Sequence, residues 1–402
     1  MRRDRLSVVD DIFLRTHRGF GLPIVLQGIW RSAEHVDRVD FAAVHANLAS
    51  GQLGRRIVTP RVPGARRRWT RSTEAHPLRY DATPLSEGTV LSWADAQGDI
   101  ELDPEFGPGW RMSVAAVETG GTVMSLVCSH TLADAAGLIA AAGRAFEGSA
   151  PEFRLRRTSD IGDAVSLATR VAAGSVRASV SLMLSRDSRR ELTGYVRSTK
   201  TVGLHDVRPS TAIFDIDANL SNTVFISLIA EIAASLGEHE PISINVPFRS
   251  NTHGTNRIGM ATVGVSSTDT LADIKSATKA ALAKPAHAPS GFPAEAVQLM
   301  SDAKAASMTS SLGTARVLCS NIGALPTSIA SISGHRATTV ATRAIHPNAG
   351  RSRTKTVLSA YISTMGSTST LSLVGTENRF VPILTDRASA VLTRRGLPHK
   401  SW

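Results

Sequence analysis

The segment Ser129-His-Thr-Leu-Ala-Asp134 holds the residue types in this chain best suited to moving a proton. An unperturbed histidine titrates near pH ~6.5, so His130, at the end of an apolar run, can take a proton from a hydroxyl or amine. Asp134 opens an alanine-rich stretch, where an aspartate suits helix capping or a pair with an arginine. Spacing alone leaves two readings of His130 open, a catalytic base or a residue that merely closes a strand.

Other chemistries find little support. The sequence has no Gly-x-Ser-x-Gly elbow, P-loop, dinucleotide fingerprint or His-Glu-x-x-His. Ser276-Ala-Thr-Lys279 fits a Ser-x-x-Lys pattern, but it falls mid-helix on a charged face without companion motifs. The twelve histidines show no ligand spacing, so no metal is expected. Cys128 and Cys319, the only cysteines, exclude a disulfide framework and a four-cysteine zinc site. They suit buried thiols in a reducing cytosol.

The elements that must position His130 can be read from hydrophobic periodicity. "LPIVLQGIW" predicts a strand, "RVDFAAVHANLASG" an amphipathic helix ended by Gly51, and "GWRMSVAAVET" with "TVMSLVCSH" a hairpin. "SVVDDIFLRT" reads as a short helix or strand. A helix from about Ala135 to Phe146 closes this half, and "EGSAPEFRLRRTSD" is a surface connection. Residues 161–192 read as a linker helix whose apolar face is poor in large side chains, so membrane contact is at most peripheral.

The second half repeats the style. "TAIFDID", "PISINVPF", "TARVLCSNIGAL", "TKTVLSAYIST" and "TSTLSLVGTE" are strands. "SNTVFISLIAEIAASLG", "TLADIKSATKAALAK" and "DRASAVLTRRG" are helices, the first capped by Ser221 or Asn222 and ended at Gly237. Similar grammar in the two halves predicts an α+β protein of two related lobes.

At 402 residues, with 42% hydrophobic and 20% charged residues, the chain can bury a sizeable core without staples. No apolar run reaches spanning length and the first residues lack a signal-peptide core, so a soluble cytoplasmic protein is expected. The formal charge of +11 suits an anionic ligand or an acidic partner. Its densest cluster, Arg61 to Ser72, contains one aromatic, Trp69, which argues against single-stranded nucleic acid.

"SHTLADAAGL" resembles the His-His-x-x-x-Asp-Gly motif of the condensation-domain-like, thioester-dependent acyltransferases, which include the wax ester synthase/diacylglycerol acyltransferases and polyketide-associated acyltransferases. The match is to the second histidine (His130), the aspartate (Asp134) and a later glycine (Gly137). "RLSVVDDIFLRT", "PGWRMSVAAVE", the block Val246, Pro247, Arg249, Asn256, Arg257, Gly259, and "CSNIGALP" resemble further family segments in order. Departures are Ser129 for the first histidine, Ala135 for the motif glycine, and Phe225-Ile226 for a usual Asn-Asp.

The resemblance implies two chloramphenicol-acetyltransferase-like lobes forming a V around a central tunnel. Residues 1–155 form the N-terminal lobe, 156–205 a linker helix region and 206–402 the C-terminal lobe. It implies acyl transfer, with His130 as general base, from a pantetheine thioester on coenzyme A or an acyl or peptidyl carrier protein to a small-molecule hydroxyl or amine. No permanently bound cofactor is implied. Asp134 and Gly137 take structural roles, Asp134 pairing with an arginine. Ser129, Ser320 and Asn321 line the tunnel, and Asn256 and Arg257 hold the crossover between lobes. The alternative is a condensation-like domain that has lost turnover and serves as a binding or recruitment platform.

Overall fold

Apolar strands and amphipathic helices assemble here around two large sheets. The computed structural model describes residues 2–20, 23–149, 155–198, 205–206, 209–250, 256–284, 293–309, 315–347, 351–352 and 355–402. One sheet of six strands runs in the order Ser331–Ile332, His335–Ile345, Val25–Ser32, Thr122–Ser129, Trp110–Val117, Arg79–Leu85. Thr122–Ser129 is buried at every position, as an apolar run covered on both faces must be. It forms the expected antiparallel hairpin with Trp110–Val117. The helix Ala135–Phe146 buries Leu138, Ala142 and Phe146 in a core shared with Trp30 and Phe41.

The second sheet has seven strands in the order Ile258–Val265, Ile242–Arg249, Val317–Ala324, Leu358–Met365, Thr368–Gly375, Ser210–Ile216, His399–Ser401. The helix Asn222–Ser235, capped by Ser221, buries Phe225, Ile226, Leu228 and Ile229 against it. Phe225 and Ile226, which depart from the family pattern, are therefore core packing.

One strand of the C-terminal half crosses over. His335–Ile345 pairs antiparallel with Val25–Ser32, so residues 206–402 do not stay within one lobe. Its sequence, HRATTVATRAI, lacks the apolar run by which the other central strands announce themselves. The reason is Arg343, whose buried guanidinium donates to Gln27 Oε1 at 2.8 Å and meets Asp95 at 2.6 Å. Paired in this way, a charge can occupy a position where periodicity calls for an apolar side chain.

Helices Asp160–Leu184 and Arg186–Ser198 occupy most of the expected linker, while residues 199–204, and 150–154 of the preceding connection, lie outside the described residues. The first turn of Asp160–Leu184 is anchored by Asp163, which accepts from Arg66 Nη2 at 2.5 Å and from the Arg66 main-chain N–H at 2.9 Å. No helix among the described residues is long and apolar enough to cross a membrane.

The helix Val8–Phe20 decides where the lobes meet. Ser7 and Asp10 form a reciprocal cap, with Asp10 N–H to Ser7 Oγ and Ser7 N–H to Asp10 Oδ2 both at 3.1 Å. Arg15, buried, donates to Asp11 Oδ2 at 2.6 Å and reaches the carbonyls of Met300 (2.6 Å) and Gln298 (2.8 Å). Residues 294–309 are thereby tied to the N-terminal helix. Burial raises the Asp11 pKa, and the guanidinium groups of Arg15 and Arg67 oppose that rise.

Replacing Arg15 with leucine should leave the buried Asp11 carboxylate with Arg67 alone and the Met300 and Gln298 carbonyls without their donor, and cost about 3 kcal/mol. Denaturant unfolding followed by tryptophan fluorescence measures this. A loss below about 1 kcal/mol would mean that Asp11 is resolvated and that the clamp is unimportant.

Candidate active site

His130 follows the last residue of Thr122–Ser129, and its main-chain N–H donates to the Ile24 carbonyl at 2.8 Å. The chain then turns tightly, with Leu132 N–H returning to the Ser129 carbonyl at 2.8 Å. Arg55 braces the turn through Nη2 to the Leu132 carbonyl, its guanidinium 4.3 Å from the Trp69 ring centroid. The imidazole of His130 is buried and stacks on Phe13, with centroids 3.9 Å apart and planes 12° from parallel.

A chain of hydrogen bonds fixes the protonation of this ring. Asn256 Nδ2 lies 2.9 Å from Asp10 Oδ1 and 3.4 Å from the Thr131 carbonyl, both acceptors only. The amide oxygen must then be the atom 3.1 Å from His130 Nδ1. Nδ1 therefore carries the proton and donates to Asn256 Oδ1, which leaves the lone pair on Nε2. Asp10 also accepts from the Asn256 main-chain N–H at 2.8 Å. Burial lowers the His130 pKa from 6.5, opposed by its main-chain hydrogen bond and by the Asp134, Asn256 and Asp10 interactions. At neutral pH the ring is uncharged, the form a base requires.

Asp134 is scaffold on two sides. Oδ1 accepts from Gly137 N–H at 2.7 Å and caps the helix Ala135–Phe146. Oδ2 accepts from the main-chain N–H of Arg257 at 3.2 Å, so the arginine contact is made by backbone and not by the guanidinium that the resemblance implied. A methyl group at Gly137 would sit 3.1 Å from Asp134 Oδ1, which explains why a small residue suits that turn.

A cavity of about 980 Å³ opens between the two sheets. His130, Asp134 and Ala135 line it from one side, and Ser320, Asn321 and Tyr361 from the other. Leu26, Trp30, Leu138, Ile139, Val340 and Met260 make much of its wall apolar. Ser320 is half-buried; Asn321 is exposed and spends its amide on Gly323 N–H (2.8 Å) and Asn222 (3.4 Å).

Ser129 does not line the cavity, contrary to expectation. Successive strand side chains point to opposite faces, so His130 facing the cavity turns its neighbour away. Gly137 also lies off the wall, within the helix.

Neither thiol suits nucleophilic chemistry. Burial pushes Cys128 up to about 12 and raises Cys319 well above the usual thiol range. Among the described residues no group of three or more His, Cys, Asp or Glu could hold a metal ion.

Sequence reasoning missed Asp10 and the contact of Asn256 with His130. Ser7-x-x-Asp10 was readable as a helix start. That one carboxylate also reaches a residue 246 positions away required the fold.

No protein-family model and no curated protein sequence matches the chain. Solved structures do. A wax ester synthase/diacylglycerol acyltransferase from Marinobacter aquaeolei VT8 matches at 12% identity and a TM-score of 0.51, covering 98% of this chain and 100% of that one. The first condensation domain of the calcium-dependent antibiotic synthetase, in complex with a substrate analogue, matches at 13% identity and a TM-score of 0.57, covering 98% and 96%. The epimerization domain from the third module of tyrocidine synthetase B matches at 13% identity and a TM-score of 0.51, covering 98% and 97%. Over nearly its whole length, the chain has the mixed α+β, chloramphenicol-acetyltransferase-like fold of condensation domains.

Proposed function

We propose that the protein transfers an acyl group from a pantetheine thioester, on coenzyme A or a carrier protein, to a hydroxyl or amine. The observation that carries this reading is the neutral, Nδ1-protonated His130 in a largely apolar cavity between two lobes. The acyl-transfer and condensation activities named for two of its structural neighbours support it.

The acceptor O–H or N–H would give its proton to His130 Nε2 as its lone pair attacks the thioester carbonyl carbon. Asn256 Oδ1 then stabilises the imidazolium through Nδ1–H, with Asp10 behind it. Collapse of the tetrahedral intermediate breaks the C–S bond, and the sulfur leaves as a thiol with the proton from Nε2. The products are an ester or amide and the free thiol. A positioned base contributes about 10²–10⁴-fold, and alignment of the two substrates in one cavity adds to it.

A binding platform without turnover is the competing reading, since Ser129 and Ala135 depart from the family motif. Two observations support turnover over the platform: Ser129 is not among the residues that line the cavity, and His130 Nδ1 has its acceptor in Asn256 Oδ1.

Turnover of a panel of acyl-coenzyme A donors with alcohols and amines should fall about 10²–10⁴-fold in His130→Ala. Full activity in that variant removes the base from the scheme, and absence of activity in the native protein favours the platform.

Asp10→Asn retains a capping side chain but frees the Asn256 amide to flip and offer Nδ2 to His130. We expect kcat to fall by about 10²-fold, less than the ~10⁴-fold seen where an orienting carboxylate touches the imidazole directly. Removing the Asp10 charge also lowers the His130 pKa further, so the acid limb of the pH–rate profile should move to lower pH. An unchanged kcat, or an acid limb moved upward, contradicts the relay.

A further inference from the structure

The cavity wall holds two cations that have no counterpart among the described residues. Arg249 and Arg257 both line it, from the paired strands Ile242–Arg249 and Ile258–Val265 and the residue just before the latter. The hairpin register sets Arg249 opposite Ile258, and Ser250 N–H donates to the Arg257 carbonyl at 2.8 Å, so the two arginines occupy the same end of the hairpin. Arg249 is exposed and Arg257 half-buried. Neither guanidinium has a hydrogen bond or ion pair among the described residues, whereas Arg15, Arg66, Arg316, Arg379 and Arg395 each meet a carboxylate.

The other arginines of the wall are occupied. Arg144 donates to Gln52 Oε1 at 2.5 Å, and Arg343 turns to Asp95. The acids of the wall are Asp134 and Glu147, and Asp134 is committed to two main-chain N–H groups. A half-buried guanidinium without an acceptor is costly, and its planar fork matches an oxyanion. Arg257 follows Asn256, which holds His130, so an anion bound here is in fixed register with the base.

We propose that Arg249 and Arg257 bind the phosphate of the pantetheine-bearing donor and hold its thioester in register with His130. This rests on the acyl-transfer reading above. The 4′-phosphate of the pantetheine arm is common to both donors, as half of the diphosphate in coenzyme A and as the phosphodiester to serine in a carrier protein, so one subsite serves either. The exposed Arg249 takes the group at the rim, and the half-buried Arg257 guides the arm inward.

The test compares one acyl chain on three donors, coenzyme A, 4′-phosphopantetheine and pantetheine, with the native protein, each single Arg→Gln variant and the double variant R249Q/R257Q. Charge-assisted contacts of this kind lead us to expect KM about ten- to a hundredfold higher for acyl-pantetheine than for either phosphorylated donor in the native protein. The double variant should treat the three donors alike, with the change in KM and not in kcat. An effect confined to the coenzyme A donor assigns the contact to its nucleotide phosphates and overturns the shared subsite. Equal KM values in the native protein, or a difference that survives the double variant, overturn it as well. Calorimetric titration with free 4′-phosphopantetheine, which carries the shared phosphate and no nucleotide, reads the same contact without turnover. If the native protein binds it and the double variant binds about tenfold or more weakly, the subsite stands even where no donor is turned over and the acyl-transfer reading fails.

Discussion

Among the described residues, the Asp10 carboxylate meets two obligations. Oδ2 closes the cap that starts the N-terminal helix, and Oδ1 takes both the main-chain and side-chain N–H groups of Asn256 from the far half of the sequence. Asn256 then meets His130 at the end of a strand in the first sheet. Three segments distant in sequence converge on this chain of hydrogen bonds. Because the participants are buried, leaving any of them unsatisfied would cost on the order of 1–3 kcal/mol, which makes the junction stiff as well as specific.

The same junction orients the turn that carries His130. Asp134 caps the helix after His130 and grips the Arg257 main-chain N–H, so both ends of the turn answer to the hairpin of the second sheet. Arg15 performs the corresponding task one helical turn along, binding the N-terminal helix to residues 294–309. The crossover strand His335–Ile345 passes into the first sheet beside Val25–Ser32. The cavity is thus the gap left between two sheets that are pinned at one side, and His130 belongs to the pinned side.

Local pattern made much of this legible. The apolar run Thr122–Ser129, the capped helix Ala135–Phe146 and the helix Asn222–Ser235 follow from periodicity and capping residues alone. The strand His335–Ile345 did not, because Arg343 sits in its buried face, hydrogen-bonded to Gln27 of Val25–Ser32 and neutralised by Asp95 of the helix Val90–Gly98. Arg79–Leu85 and Val90–Gly98 were also unmarked, the former being an edge strand with no fully buried position. At the site, His130 and Asp134 were visible as types at a spacing. Ser129 was misplaced because strand alternation was not carried through to the cavity wall. Asp10 and Asn256 could not be joined to His130 by any local rule, since a hydrogen bond across 246 residues leaves no periodic trace.

The central claim is that Asp10, through Asn256, places the proton on Nδ1 of a His130 ring that burial keeps neutral. Heteronuclear NMR of the histidine side chains, with the His130 signals identified by their loss in His130→Gln, reads this directly. At neutral pH the account predicts a protonated Nδ1 and a lone-pair-bearing Nε2, and protonation of both nitrogens only below about 6.5, the unperturbed value that burial has lowered. A ring carrying its proton on Nε2, or one already doubly protonated at neutral pH, would contradict it.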